Sequence, residues 1–223
     1  MWHQKIQNML MTKVKASSIT NLTDARYFAA LEVDWIGFCL DPDRPEHVSP
    51  QQVAAIGEWL DGVKIVGEMG SLEPEAMQTA VEQLGLDVIQ VGPAVKPELV
   101  SELSDTLVIK EWWIMPGDSA DSLEEELEAW SGKAAFHLLD FGRQGISYHA
   151  VATGKVFSVE TLADWCQRFP ILLDFDWAPE EVQTVLSTLQ PVGLSLKGGE
   201  EEKVGFKSFD ELDEILENLQ VEE

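Results

Sequence analysis

Eight times along the chain a short apolar or β-branched run is followed by a longer amphipathic stretch, and this alternation narrows the possible folds more than any other feature. The runs are "KVKAS" (13–17), "DWIGF" (34–38), "VKIVGE" (63–68), "DVIQV" (87–91), "LVIKEWWI" (107–114), "AFHLLD" (135–140), "ILLDF" (171–175) and "VGLSL" (192–196). Each is short and almost continuously apolar, as a strand buried on both faces of a parallel sheet must be. The stretches between them carry helical stripes: Ala25, Phe28, Ala29 and Leu31; Val53, Ile56 and Leu60; and Phe209, Leu212, Ile215, Leu216 and Leu219. "SPQQV", "SLEPEA" and "APEEV" place Pro in a first helical turn, and Ser208 with Glu211 has capping-box spacing.

Eight strand–helix units in 223 residues, with no Pro/Gly/Ser linker between them, predict one closed (β/α)₈ TIM barrel over residues 1–223, preceded by a short N-terminal extension at 1–12. No GxGxxG follows the first strand, which argues against a dinucleotide-binding sheet. In such a barrel the site lies at the C-terminal strand ends. A small-molecule ligand is therefore expected at that rim.

Charge limits what that ligand and its partners can be. The formal net charge is −25, from 40 acidic and 15 basic residues. Such a surface repels nucleic acid and anionic lipid. No apolar run reaches the ~18 residues of a membrane span, and "MWHQKIQNML" makes a poor signal peptide. Cys39 and Cys166 are far apart and are read as reduced, buried thiols. A cytoplasmic protein is expected; the oligomeric state is left open.

The order of several motifs resembles the phosphoribosylanthranilate isomerase family of tryptophan biosynthesis. "VKASSITNLTDARYFAALEVDWIGF" (14–38) is similar to that family's opening, in which a Lys-Ile-Cys-Gly-Ile-Thr strand end precedes NxxDA and a second strand. "DPDRPEHVSPQQ", "LDVIQVG", "LLD", "ATGKVF", "LLDFDWAPEEV" and "LSLKGGEEEKVGFKS" fall in family order along the rest of the chain. The resemblance implies a TIM barrel and an Amadori rearrangement. In that reaction a general acid opens a furanose ring and a general base removes the C2′ proton. The acid falls on Asp140, and the base, a cysteine in the family, falls on Ser17. A thiol of reference pKa ~8.5 can be tuned to a thiolate, whereas a serine hydroxyl needs a base of its own.

The resemblance also marks binding positions that have changed. The Arg that holds the anthranilate carboxylate falls on Glu46, with Arg44 two residues upstream either as a replacement or as an exposed loop residue. Gln90 falls on the family's Gln, the family's His-Gly on Gly92-Pro93, and the last-strand Asp on Ser195. Thr153 and Gly154 belong to a family loop segment, and they read equally as an old lid or a helix entry. The phosphate-binding Gly-Gly turn falls on Phe175 and Asp176, preceded by Asp174, while Gly198 and Gly199 keep the second half of the cradle. Asp140 also reads as an inherited carboxylate with a structural bond. His137, Trp112 and Trp113 read as packing residues.

Three functions fit. In the first, the isomerisation is weak or lost and the barrel has another ligand or binding role. In the second, the isomerase works through a rebuilt site. In the third, a different carboxylate-dependent enzyme uses Asp140 with Asp174 or Asp176. No cofactor and no resident metal is expected; only the third reading admits a divalent ion.

Overall fold

The structure is a computed structural model that describes residues 10–70, 73–100, 106–198, 201–203, 206–207 and 209–220. Its eight strands, β1 (Lys13–Ser17), β2 (Trp35–Cys39), β3 (Lys64–Met69), β4 (Val88–Val91), β5 (Leu107–Trp113), β6 (Phe136–Asp140), β7 (Ile171–Asp174) and β8 (Gly193–Lys197), pair in order and in parallel. β8 closes on β1 through five residue pairs from Lys13↔Gly193 to Ser17↔Lys197. The eight apolar runs of the sequence are these strands, with ends shifted by at most a residue or two, so the (β/α)₈ expectation holds.

Helices cover the outside: α1 (Leu22–Ala30), α2 (Pro50–Gly57), α3 (Pro74–Leu84), α4 (Pro97–Val100), α5 (Ala120–Ala129), α6 (Tyr148–Ala152), α7 (Val159–Arg168), α8 (Val182–Leu189) and α9 (Asp210–Glu217). The expected starts at Pro50 and Pro74 hold, and Ser49 with Gln52 completes a capping box ahead of α2. The start of α9 differs. Phe209 is its N-cap, without a side-chain hydrogen bond, and Ser208 lies outside the described residues. The sequence pattern also missed a short antiparallel hairpin, β9 (Glu201–Lys203) with β10 (Phe206–Lys207), because its strands are too short to show a period. No described helix is long and apolar enough to cross a membrane.

Period-two alternation divides each strand between two cores. Outward residues such as Val14, Ala16, Phe38, Leu139, Leu173 and Leu194 join the helices in the main apolar cluster. Inward residues Trp35, Val66, Val88, Ile109, Leu138 and Leu172 form a separate belt inside the barrel. His137 faces outward and packs in the wall as expected. It accepts a hydrogen bond from Trp112 Nε1 at 3.2 Å, and burial, followed by the Lys110 charge, lowers its pKa to about 4. Lys110 Nζ is buried between the Trp112 and Trp130 rings and donates to the carbonyls of Gly92, Pro93 and Val95. It thereby fixes the loop after β4, where the family has His-Gly. Trp113 corrects the packing expectation: it is 41% exposed, because it is the last residue of β5 and emerges at the rim.

Candidate functional site

The rim encloses a cavity of about 490 Å³. Its floor lies two residues above the apolar belt. There Glu68, Gln90, Glu111, Asp140 and Asp174 point inward from β3 to β7.

On the β8–β1 side a buried chain of hydrogen bonds sets the chemistry. Lys15 Nζ donates to Ser17 Oγ and to Glu68 Oε1, each at 2.6 Å. Ser195 Oγ donates to Asp174 Oδ2 at 2.9 Å and lies 2.7 Å from Ser17 Oγ. Since Ser195 gives its proton to Asp174 and Ser17 accepts from Lys15, the Ser17 proton is directed to Ser195. Ser18 donates to Glu68 from both its backbone N–H (3.1 Å) and its hydroxyl (2.8 Å). It does so at φ +52°, a left-handed conformation that side chains rarely adopt, at the position of the glycine in the resembling motif. Burial raises the Glu68 pKa, but Lys15 and the two Ser18 bonds outweigh it and hold the carboxyl below its ordinary range. The ion pair fits because β2 has Gly37 there. A Cβ on Gly37 would stand 2.1 Å from Glu68 Oε1 and 2.9 Å from Lys15 Nζ.

The other side is carboxylate-rich. Asp140 accepts from the Arg143 backbone N–H at 2.8 Å and from Arg143 Nε at 3.3 Å, and the guanidinium lies 4.3 Å over the Trp113 ring. Asp174, opposite Asp140 in the β6–β7 register, has its pKa raised well above the carboxylate range by burial. Lys197, 3.8 Å away, opposes that shift and Asp140 adds to it. Glu111 is pushed up to about 7, by burial first and then by Asp140 and Glu68. Cys39 also lines the cavity. Burial, reinforced by Glu68 and Asp41 against a bond at Asp41, pushes its thiol up to about 11.

The positions expected from the sequence fall into three groups. Ser17, Arg44, Glu46, Gln90, Asp140 and Gly198 line the cavity together. Arg44 pairs with Glu46 at 3.3 Å, and a Cβ on Gly198 would stand 2.6 Å from Asp24 Oδ2. Ser195 lies beneath, linked to the cavity through Ser17 and Asp174. Thr153, Gly154, Phe175 and Asp176 are not in the lining. The Thr153 hydroxyl donates to the carbonyls of His149 and Ala150. Phe175 packs on Phe141 and Trp177, and the Asp176 N–H donates to the Ile146 carbonyl at 3.0 Å. Gly199 lies outside the described residues. Lys15, Glu111 and Arg143 were not singled out. Lys15 and Glu111 had a sequence signal, a charge at an inward position of an otherwise apolar strand.

Comparison with known proteins agrees with this fold. The family model for N-(5'phosphoribosyl)anthranilate (PRA) isomerase matches residues 14–218. The N-(5'-phosphoribosyl)anthranilate isomerase of Geobacter sulfurreducens is 25% identical over 215 residues, covering 92% of this chain and 97% of that protein. The crystal structure of phosphoribosyl anthranilate isomerase from Thermotoga maritima superposes with a TM-score of 0.76 at 25% identity, covering 94% of this chain and 98% of that one. The enzyme from Thermus thermophilus gives 0.72 at 29% identity, with 93% and 98% covered.

Proposed function

The chain belongs to the N-(5'-phosphoribosyl)anthranilate isomerase family, and from that premise we propose that it keeps the family's barrel and a small-molecule pocket but carries the family isomerisation weakly or not at all. The observation that carries this reading is the state of Ser17. Its hydroxyl stands between Lys15 and Ser195, and the thiol that lines the cavity, Cys39, is held protonated with a pKa of about 11. No thiolate is at hand near neutral pH to take a C2′ proton. Loss of a placed general base costs ~10²–10⁴-fold in rate.

The substrate's two anionic ends are also poorly served in this reading. The Asp176 N–H, which a phosphate would need, is bonded to Ile146, and Phe175 packs away from the cavity. Asp174 would face the phosphate with a carboxyl group. When ionised, such a group at ~4–6 Å costs roughly a few kcal/mol. Arg44, the candidate for the anthranilate carboxylate, is engaged by Glu46. Asp140 remains at the family's acid position.

One observation favours the second reading, a rebuilt isomerase. Asp174 lines the cavity with a raised pKa and is joined to Ser17 through Ser195, so it is a candidate base in place of the cysteine. The third reading, with a metal, has less support: among the described residues no three His, Cys, Asp or Glu side chains are grouped to hold an ion.

The test is growth of a tryptophan auxotroph lacking the isomerase, with this gene at normal expression and turnover measured on the purified protein. No rescue and turnover at least ~10²-fold below the family's are expected. Robust rescue overturns the reading, and Asp174→Asn would then report whether Asp174 had become the base.

A further inference from the structure

The inner arc of the cavity from β3 to β5 is rich in acceptors; Lys15 and Ser18 serve Glu68, but one acceptor further along has no donor. Glu68 and Gln90 are opposite one another in the β3–β4 register, and Glu111 follows on β5, two residues above the partner of Gln90. Gln90 is 5% exposed and lines the cavity, and its Oε1 has no hydrogen-bond partner. A buried carbonyl oxygen left in this state calls for a donor. Glu111 is 7% exposed, accepts a hydrogen bond from the Trp113 side chain, and belongs to none of the ion pairs among the described residues, so its charge has no direct counterion there. The cations around the lining do not answer this need, because Arg44, Arg143 and Lys197 each stand against a carboxylate of their own.

We infer that this barrel binds a small cationic amine, its ammonium taken by Gln90 Oε1 and the Glu111 carboxylate. An ammonium supplies three donors and one positive charge, which are what the arc lacks. A neutral polyol would satisfy Gln90 but leave Glu111 without a countercharge, and an inorganic anion would satisfy neither. The inference rests on the reading that the doubly anionic family substrate is not the ligand of this pocket.

Binding should be linked to a proton. Glu111 is pushed to about 7 by burial and by the facing Asp140 and Glu68, with Arg143 opposing the shift. An arriving ammonium favours its ionised form, so a proton leaves as the amine binds.

The experiment is calorimetric titration of the full chain with 1,4-diaminobutane and n-propylamine, with 1,4-butanediol, 1-propanol and inorganic phosphate as matched controls, at pH 6 and pH 8. At least one amine should bind ~10-fold or more tighter than its neutral counterpart. It should also bind about tenfold tighter at pH 8 than at pH 6, with proton release detected by changing the buffer. Glu111→Gln should weaken it ~10-fold and remove the pH dependence, and Gln90→Leu should weaken it without removing that dependence. Neutral counterparts binding as well as the amines, phosphate binding more tightly, or no amine binding at millimolar concentration would each overturn the inference. Isomerase turnover on the same preparation separates the two claims. Turnover at the family's rate overturns the reading beneath, whereas no turnover with no amine binding overturns only this inference.

Discussion

The barrel interior contains two layers built by the same strands and separated by two residues. Val66, Val88, Ile109, Leu138 and Leu172 form the lower layer; Glu68, Gln90, Glu111, Asp140 and Asp174 form the upper one. Both sets point inward, and the step between them is ~6–7 Å along each strand. The lower layer is dry and apolar, and each large aliphatic side chain there contributes ~1.5–3 kcal/mol by burial. The upper layer is mixed: Glu68 is held by Lys15 and Ser18, whereas other members oppose folding. Glu111 and Asp174 bind protons more tightly in the folded chain than as free carboxyls, and Gln90 keeps an unpartnered oxygen. The difference teaches that the lower layer stabilises the barrel, while the upper layer is better explained by a ligand than by folding.

The sharpest way to break this comparison is to exchange the layers on one strand. Leu172→Asp puts an unpaired carboxyl into the belt and should cost ~4 kcal/mol or more in urea unfolding. Asp174→Leu, the reverse change one layer up, should leave the chain folded and at least as stable. Equal losses from the two would mean that the layers do not differ in kind. A smaller effect is expected at the boundary. Gly37→Ala forces a Cβ against the Lys15–Glu68 pair and should cost ~3 kcal/mol, read as a lower denaturation midpoint with an unchanged slope. A neutral result would show that the pair moves freely.

The smallest effect concerns pH. The Glu111 pKa is raised on folding from 4.5 to about 7, so the folded chain binds the extra proton over that window and stability falls as pH rises through it. Glu111→Gln removes that fall. It should stabilise by ~1–2 kcal/mol at pH 8, after allowing for water at the cavity mouth, and by little at pH 5. Thermal midpoints of both proteins at the two pH values check this, and a stabilisation larger at pH 5 would reverse the assigned sign.

The cavity was only partly legible in the sequence. Ser17, Gln90 and Asp140 stand at strand ends, where alternation and chain order were enough to bring them to one rim. Phe175 and Asp176 leave the strand in a turn, and a turn's direction depends on what packs beneath it, here Phe141, Trp177 and the Ile146 carbonyl. Thr153, which read equally as an old lid or a helix entry, stands at the end of a short helix, where its hydroxyl donates to the His149 carbonyl, a local bond that no spacing along the chain announces. Trp113 was read as packing because it sits on a strand, but the last inward residue of a barrel strand meets the opening and not the belt.

By itself the sequence determined the eight-stranded parallel barrel, its helical cover and the family, because these depend on hydrophobic period and motif order, which are local and repeated along the chain. Only the tertiary structure decided that Lys15 pairs with Glu68, that Ser17 is tied through Ser195 to Asp174, and that Gln90 Oε1 is left without a partner in a cavity that Glu111 also lines. These relations join residues on different strands across the barrel axis. Their energies depend on distance and burial in three dimensions, and no spacing along the chain encodes either.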